Sequence, residues 1–147
     1  MLIVIFGESC TGKSTLAEQV KERLGGEVCT GKDYLRLAKS EAEAKTLFQE
    51  KMARAVTGEN LIWVIAEKEH LALVPDGAVR VLVTAELETI QARFAKRMGG
   101  QLPPPVAAML EKKHGCFDGE PHEFHVISEE TDVEKICQVP GSLPEKM

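Results

Sequence analysis

An α/β fold, with a parallel sheet covered by helices on both faces, is what the sequence predicts, and three observations predict it. Short, almost wholly apolar runs recur at Leu2 to Phe6, Leu61 to Ala66 and Val79 to Val83, the pattern of strands buried on both faces. Between them lie segments whose apolar residues repeat at three- and four-residue spacing, the mark of helices packed on one side. Glycine- and proline-containing turns separate the two kinds of segment. Strands that alternate with helices build a parallel sheet, and such sheets bind ligands at the carboxyl ends of their strands.

Each element follows from local sequence. Leu2 to Phe6 is the first strand, ended by Gly7. A helix begins at Thr15, with Leu16, Ala17, Val20 and Leu24 inward, and Gly25-Gly26 stops it. Glu27 to Thr30 reads as a second strand. Two helical stretches follow, about Asp33 to Ala38 and about Glu41 to Val56, the second with Ala44, Leu47, Phe48, Met52 and Val56 on one face. Thr57 to Asn60 turns into the third strand, Leu61 to Ala66, and a short helix reaches about Leu73. Pro75-Asp76-Gly77 turns into the fourth strand, Val79 to Val83. Thr84 is expected to open a helix with Leu87, Ile90, Phe94 and Met98 inward. Gly99 to Pro105 breaks it, a further helix runs from about Val106 to His114, and His122 to Ile127 is the fifth strand. Thr131-x-x-Glu134 is a capping box for a last helix to Cys137, and residues 140–147 read as a tail.

Composition narrows the possibilities. A chain of 147 residues fits one domain, here about 1–139, able to bury roughly two thirds of its unfolded surface. The net charge of −5 and a pI near 5.4 argue against a general nucleic-acid surface. The N-terminal apolar run is too short for a membrane span or a signal peptide, and Cys10, Cys29, Cys116 and Cys137 form no C-x-x-C pair, so a reducing cytoplasm is the expected location. His114, Cys116, His122 and His125 lack zinc-ligand spacing.

The chemistry is concentrated behind the first strand. Gly7-x-x-x-x-Gly12-Lys13-Ser14 has the P-loop spacing. Its glycines let the backbone close around a phosphate, so that N–H groups between Glu8 and Ser14 point at the oxygens. Lys13 adds a positive charge, the following helix contributes its N-terminus, and Ser14 is left to hold Mg²⁺. The whole segment, Gly7, Glu8, Ser9, Cys10, Thr11, Gly12, Lys13, Ser14 and Thr15, is the candidate nucleotide-binding loop.

With this motif, an acidic residue after the second strand at Asp33, and the i, i+4 pair Arg93/Arg97 before a Gly/Pro break, the sequence resembles the small P-loop kinases. That family includes adenylate, cytidylate, shikimate and gluconate kinases and polynucleotide 5′-kinases. The resemblance spans Leu2 to about Cys137. It implies a five-stranded sheet in the order 2-3-1-4-5, an acceptor-binding helical segment at about 33–57 and a lid at about 98–105. It further implies that Lys13 contacts the β- and γ-phosphates, that Asp33 accepts the proton of the acceptor hydroxyl or orients it, and that Arg93 and Arg97 neutralise the transferred group.

Two assignments stay open at the level of sequence. Asp33 serves either the acceptor or only a helix cap. Family members usually carry an Asp near the end of the second or third strand for Mg²⁺, and here the third strand ends Val64-Ile65-Ala66-Glu67. Glu67 or Asp33 is then the candidate. In the acceptor region Arg36 and Arg54 are the cations that would bind an acidic acceptor. The expectation is an ATP- and Mg²⁺-dependent transferase acting on a small acceptor, a nucleoside or nucleotide first. The alternatives are a shikimate, gluconate or polynucleotide 5′-hydroxyl acceptor, and a nucleotide-binding sensor or interaction module without transfer.

Overall fold

A computed structural model of the chain describes residues 1–8 and 10–127. Ser9, the expected last helix from Thr131 to Cys137 and the tail 140–147 lie outside the described residues. At its centre is β1 (Leu2–Phe6), every residue of which is buried. It pairs in parallel with β3 (Leu61–Ile65) on one side and β4 (Val79–Thr84) on the other. Outside these stand β2 (Glu27–Thr30) and β5 (Phe124–Ile127), both parallel to their neighbours. The order is β2-β3-β1-β4-β5, as the family resemblance implies.

Alternation along the central strands divides the core. Leu2, Val4 and Phe6 join Trp63, Phe48, Met52 and Tyr34 on one face, where α2 (Glu41–Val56) and a 3-10 segment (Gly31–Leu37) cover the sheet. Ile3 and Ile5 join Leu16, Ala17 and Val20 of α1 (Lys13–Leu24) on the other. Burying a large apolar side chain of this kind stabilises by about 1.5–3 kcal/mol, so the aromatic face dominates the core. A third, smaller cluster of Cys10, Ala85, Ile90 and Leu110 fastens α3 (Leu87–Arg97) and α4 (Pro104–Lys113) to the P-loop. Among the described residues no helix is long and apolar enough to cross a membrane.

Several boundaries depart from the expectations. Thr84 ends β4, opposite Ile127, instead of opening a helix; α3 starts at Leu87 with Glu86 at its N-cap. Helix α4 starts at Pro104, not Val106, because proline is well tolerated in a first helical turn, where its missing N–H has no partner to lose. The segments after β2 and β3, Gly31–Leu37 and Lys68–Leu73, are 3-10 and not α-helical. Leu47 and Met98, expected inward, are 38% and 45% exposed. His122 lies before β5, which begins at Phe124.

Candidate functional site

The P-loop leaves the sheet between β3 and β4. Gly7 N–H still donates to the Ile65 carbonyl at 3.2 Å, and a Cβ on Gly7 would stand 2.2 Å from the Val83 carbonyl oxygen. Only glycine passes that gap. Thr11 is fully buried, with its hydroxyl donating to the Glu8 carbonyl at 2.8 Å. Gly12, at φ 97°, turns the chain into α1, and Lys13 and Ser14 begin the helix.

Lys13 is 6% exposed, and its ammonium donates to the same Glu8 carbonyl. Burial lowers its pKa to about 8; Cys10 opposes that shift, Arg97 adds to it and Glu8 opposes it. A buried cation whose ammonium donates to a carbonyl is electrostatically ready for an anion. Beside it is a cavity of ≈ 220 Å³ lined by Cys10, Gly12, Lys13, Ser14, Thr15, Thr30, Gly31, Val64, Ala66 and Arg97. Phosphate fits this lining: a buried ammonium, an exposed Ser14 hydroxyl, the N-terminus of α1 and a guanidinium. For Mg²⁺ the described residues of the lining supply the hydroxyls of Ser14, Thr15 and Thr30 and no carboxylate, so phosphate oxygens and water would supply its other ligands.

The two predicted arginines take different positions. Arg97 lines the cavity and acts on Lys13. Arg93, one turn earlier, donates from Nη1 to the Cys10 carbonyl at 3.0 Å and so braces the loop. Cys10 itself is buried with φ 63°, unusual for a residue with a side chain.

The remaining candidates lie outside that lining. Asp33 sits at the third position of the 3-10 segment, where its Oδ2 accepts from Thr30 N–H at 3.1 Å in a capping box; Thr30, not Asp33, is the N-cap. Arg36 is exposed on the same segment. Glu67 holds the N-cap position of the second 3-10 segment, 3.9 Å from His70 Nε2. Arg54 lines a cavity with Gly26, Asn60 and Leu61, at the amino ends of β2 and β3 and therefore on the opposite rim from the P-loop.

One feature of the loop has no signature in the sequence. The Glu8 carboxylate accepts from Gly115 N–H at 3.1 Å and pairs with His114 Nδ1 at 3.1 Å, joining the P-loop to the end of α4. Phe117 follows and packs on Phe6 at 5.7 Å between ring centres. Partners about a hundred residues apart leave no local pattern to read.

No protein-family model and no curated protein matches the sequence. Solved structures do. The chain is similar to a shikimate kinase from Bacteroides thetaiotaomicron, with 16% identity, TM-score 0.57 and coverage of 99% of this chain and 98% of that one. It is similar to a gluconokinase from Sinorhizobium meliloti, with 17% identity, TM-score 0.57 and coverage of 92% and 86%. It is similar also to a deoxyadenosine kinase from M. mycoides solved with bound dATP, with 18% identity, TM-score 0.53 and coverage of 97% and 98%. The fold is that of the small P-loop kinases.

Proposed function

We propose that the protein is an ATP-dependent phosphotransferase that moves a γ-phosphoryl group to a small acceptor, a nucleoside or nucleotide. The observation that carries this reading is the buried Lys13 ammonium, paired with a carbonyl and flanked across one cavity by Ser14 and Arg97. Structural neighbours with the same fold include kinases of three different acceptors, which supports the reaction class and leaves the acceptor to be argued from this chain.

In this reading Lys13 leaves the Glu8 carbonyl for the β- and γ-phosphates, and the loop N–H groups hold their remaining oxygens. Mg²⁺, when bound with the nucleotide on Ser14, neutralises phosphate charge. Arg97 stabilises charge on the group in flight. Arg93 keeps Cys10, and with it the loop, in place. Asp33 leaves Thr30 N–H to take the acceptor's hydroxyl proton as its oxygen bonds phosphorus and ADP departs.

A nucleotide-binding protein without transfer is the second reading, and one observation favours it: among the described residues, no carboxylate lines the phosphate cavity. A screen of nucleosides, nucleotides and sugars for ATP-dependent product, read by mass, separates the two. Turnover is expected with at least one acceptor, with a loss of about 10²- to 10³-fold in Lys13→Ala. Asp33→Asn, which keeps an oxygen for the capping box, is expected to lose about 10²- to 10⁴-fold. Tight ATP binding with no product across the screen would leave the sensor reading standing.

A further inference from the structure

The flank of the site built on β3 keeps one polar group unsatisfied. His70 is 6% exposed, and its Nδ1 is buried without a hydrogen-bond partner among the described residues. Its Nε2 is 3.9 Å from Glu67, too far for a hydrogen bond. An orphaned buried donor or acceptor carries its full desolvation penalty, and such exceptions call for an explanation.

Around this imidazole the rings form a box. Trp63 lies 5.6 Å away at 33°, and Tyr34 meets His70 edge-on at 6.1 Å. Tyr34 stacks flat on Phe48, with 5.2 Å between centres and 8° between planes. It is the buried residue of the 3-10 segment Gly31–Leu37. A 3-10 run of seven residues is long for its kind, since poor hydrogen-bond geometry usually limits it to three or four. Gly31, at φ +49° in open space, begins the segment; its carbonyl accepts from Trp63 Nε1 at 3.0 Å, and it also lines the phosphate cavity. Box and cavity therefore adjoin.

Volume supplies the remaining step. At ≈ 220 Å³ the cavity falls below the ~300–1,000 Å³ of ordinary small-molecule sites, so a second substrate needs space from a neighbouring element. Resting on the phosphotransferase reading, we propose that Tyr34 is a displaceable plug. A nucleobase of the acceptor takes its place, stacked on Phe48 and hydrogen-bonded at its edge to His70 Nδ1. A base matches both the flat slot and the orphan atom. Shikimate, whose ring is not aromatic, and gluconate, which is acyclic, offer no flat aromatic face to stack.

Trp63 is the chain's single tryptophan, so its emission reports on the box without any need for turnover. Adenosine, guanosine, cytidine, thymidine, shikimate and gluconate would be titrated without ATP, and ATP binding measured separately by calorimetry. At least one nucleoside is expected to change Trp63 emission saturably, with neither polyol acid doing so. His70→Phe should weaken that nucleoside about tenfold, the loss of one hydrogen bond, and leave Tm unchanged or raised, because no partnered polar atom is removed. His70→Asn, which restores a polar edge, should recover most of the affinity. Equal affinity in wild type and His70→Phe overturns the proposal, as does a saturable response to a polyol acid alone. Nucleosides that leave emission unchanged while ATP binds would sink the base slot and spare the kinase reading. Failure of both ATP and nucleosides to bind would remove both.

Discussion

The two flanks of the phosphate cavity meet the same loop by opposite means. On the side of β2 and β3, Trp63, Phe48 and Tyr34 belong to the main core; the Gly7 N–H ties the loop to the Ile65 carbonyl, and the Trp63 indole donates to the Gly31 carbonyl at the edge of the cavity. On the side of α3 and α4 the apolar packing is a small cluster around Ile90 and Leu110. The polar ties there end on the P-loop itself: Arg93 on the Cys10 carbonyl, and His114 and Gly115 on the Glu8 carboxylate. A packed aromatic flank responds to the shape of what enters it, since a ring can leave a dense core only for a group that fills the same space. A flank tied by hydrogen bonds to loop backbone responds to charge in the loop. On the proposed function, the β2–β3 side would select the acceptor and the α3–α4 side would register phosphate.

The largest effect expected from this contrast separates two arginines one helical turn apart. Arg97 lines the cavity, so Arg97→Ala should reduce kcat by about 10³- to 10⁵-fold, the range for an arginine serving a phosphoryl-transfer transition state. Arg93 binds a loop carbonyl, and a hydrogen bond involving a charged group contributes about 1.5–3 kcal/mol. Arg93→Ala should therefore weaken nucleotide binding and lower Tm more than it lowers kcat. Steady-state kinetics with calorimetry on both variants checks the split. Equal kcat losses with unchanged nucleotide affinity would dissolve the distinction.

A smaller effect sharpens the electrostatic half of the comparison. Lys13 has its pKa lowered to about 8, against an unfolded value near 10.4. Between those values the unfolded chain holds a proton that the folded chain has lost, so the Lys13 contribution to stability rises with pH across that window and is at its least favourable below about 8. Phosphate restores the charged form. Nucleotide binding at pH 9 should then take up close to one proton, and affinity should weaken with rising pH by up to about tenfold per unit. Calorimetry in two buffers of different ionisation enthalpy measures the uptake. It should vanish in Lys13→Ala.

What the sequence revealed divides along the same line. The sheet, α1 and the P-loop were legible because apolar runs, 3.6-residue periodicity and a fixed-spacing motif are local signals. Family resemblance added the strand order. The two short segments after β2 and β3 were legible as helical, but a single turn of spacing does not distinguish 3-10 from α. Pro104 hid the start of α4, since a proline run reads as a break even where it occupies a first turn. Leu47 and Met98 fit a helical face yet lie at its exposed margin. The site divided similarly: Lys13 and Ser14 were legible through the motif spacing and Arg97 through the pair before the Gly/Pro break. His70 and the Glu8 latch were not, because each depends on contacts between distant segments. Arg54 sat in the right stretch of sequence, but α2 carries it to the other rim.

The smallest effect concerns that latch and tests whether the α3–α4 flank is held from both ends. The Glu8 side chain is 11% exposed and that of His114 is 37% exposed, so the pair is partly screened and its worth is modest, about 1 kcal/mol. The Gly115 N–H adds a second bond to the same carboxylate, which His114→Ala leaves intact. That variant should lower stability by about 1 kcal/mol or less, and hydrogen-exchange protection should fall across α4 (Pro104–Lys113) while the β2–β3 flank keeps its own. Glu8→Ala removes both acceptors and should cost more. If the latch couples the two residues, the double variant should be less damaging than the sum of the singles by about 0.5–1 kcal/mol. Strict additivity would mean that the His114 side chain does not couple to Glu8, so that the latch consists of the Gly115 N–H bond to the Glu8 carboxylate. The polar ties of the α3–α4 flank to the loop would then be those of Gly115 and Arg93, with α4 otherwise placed by Ile90, Leu110 and their neighbours.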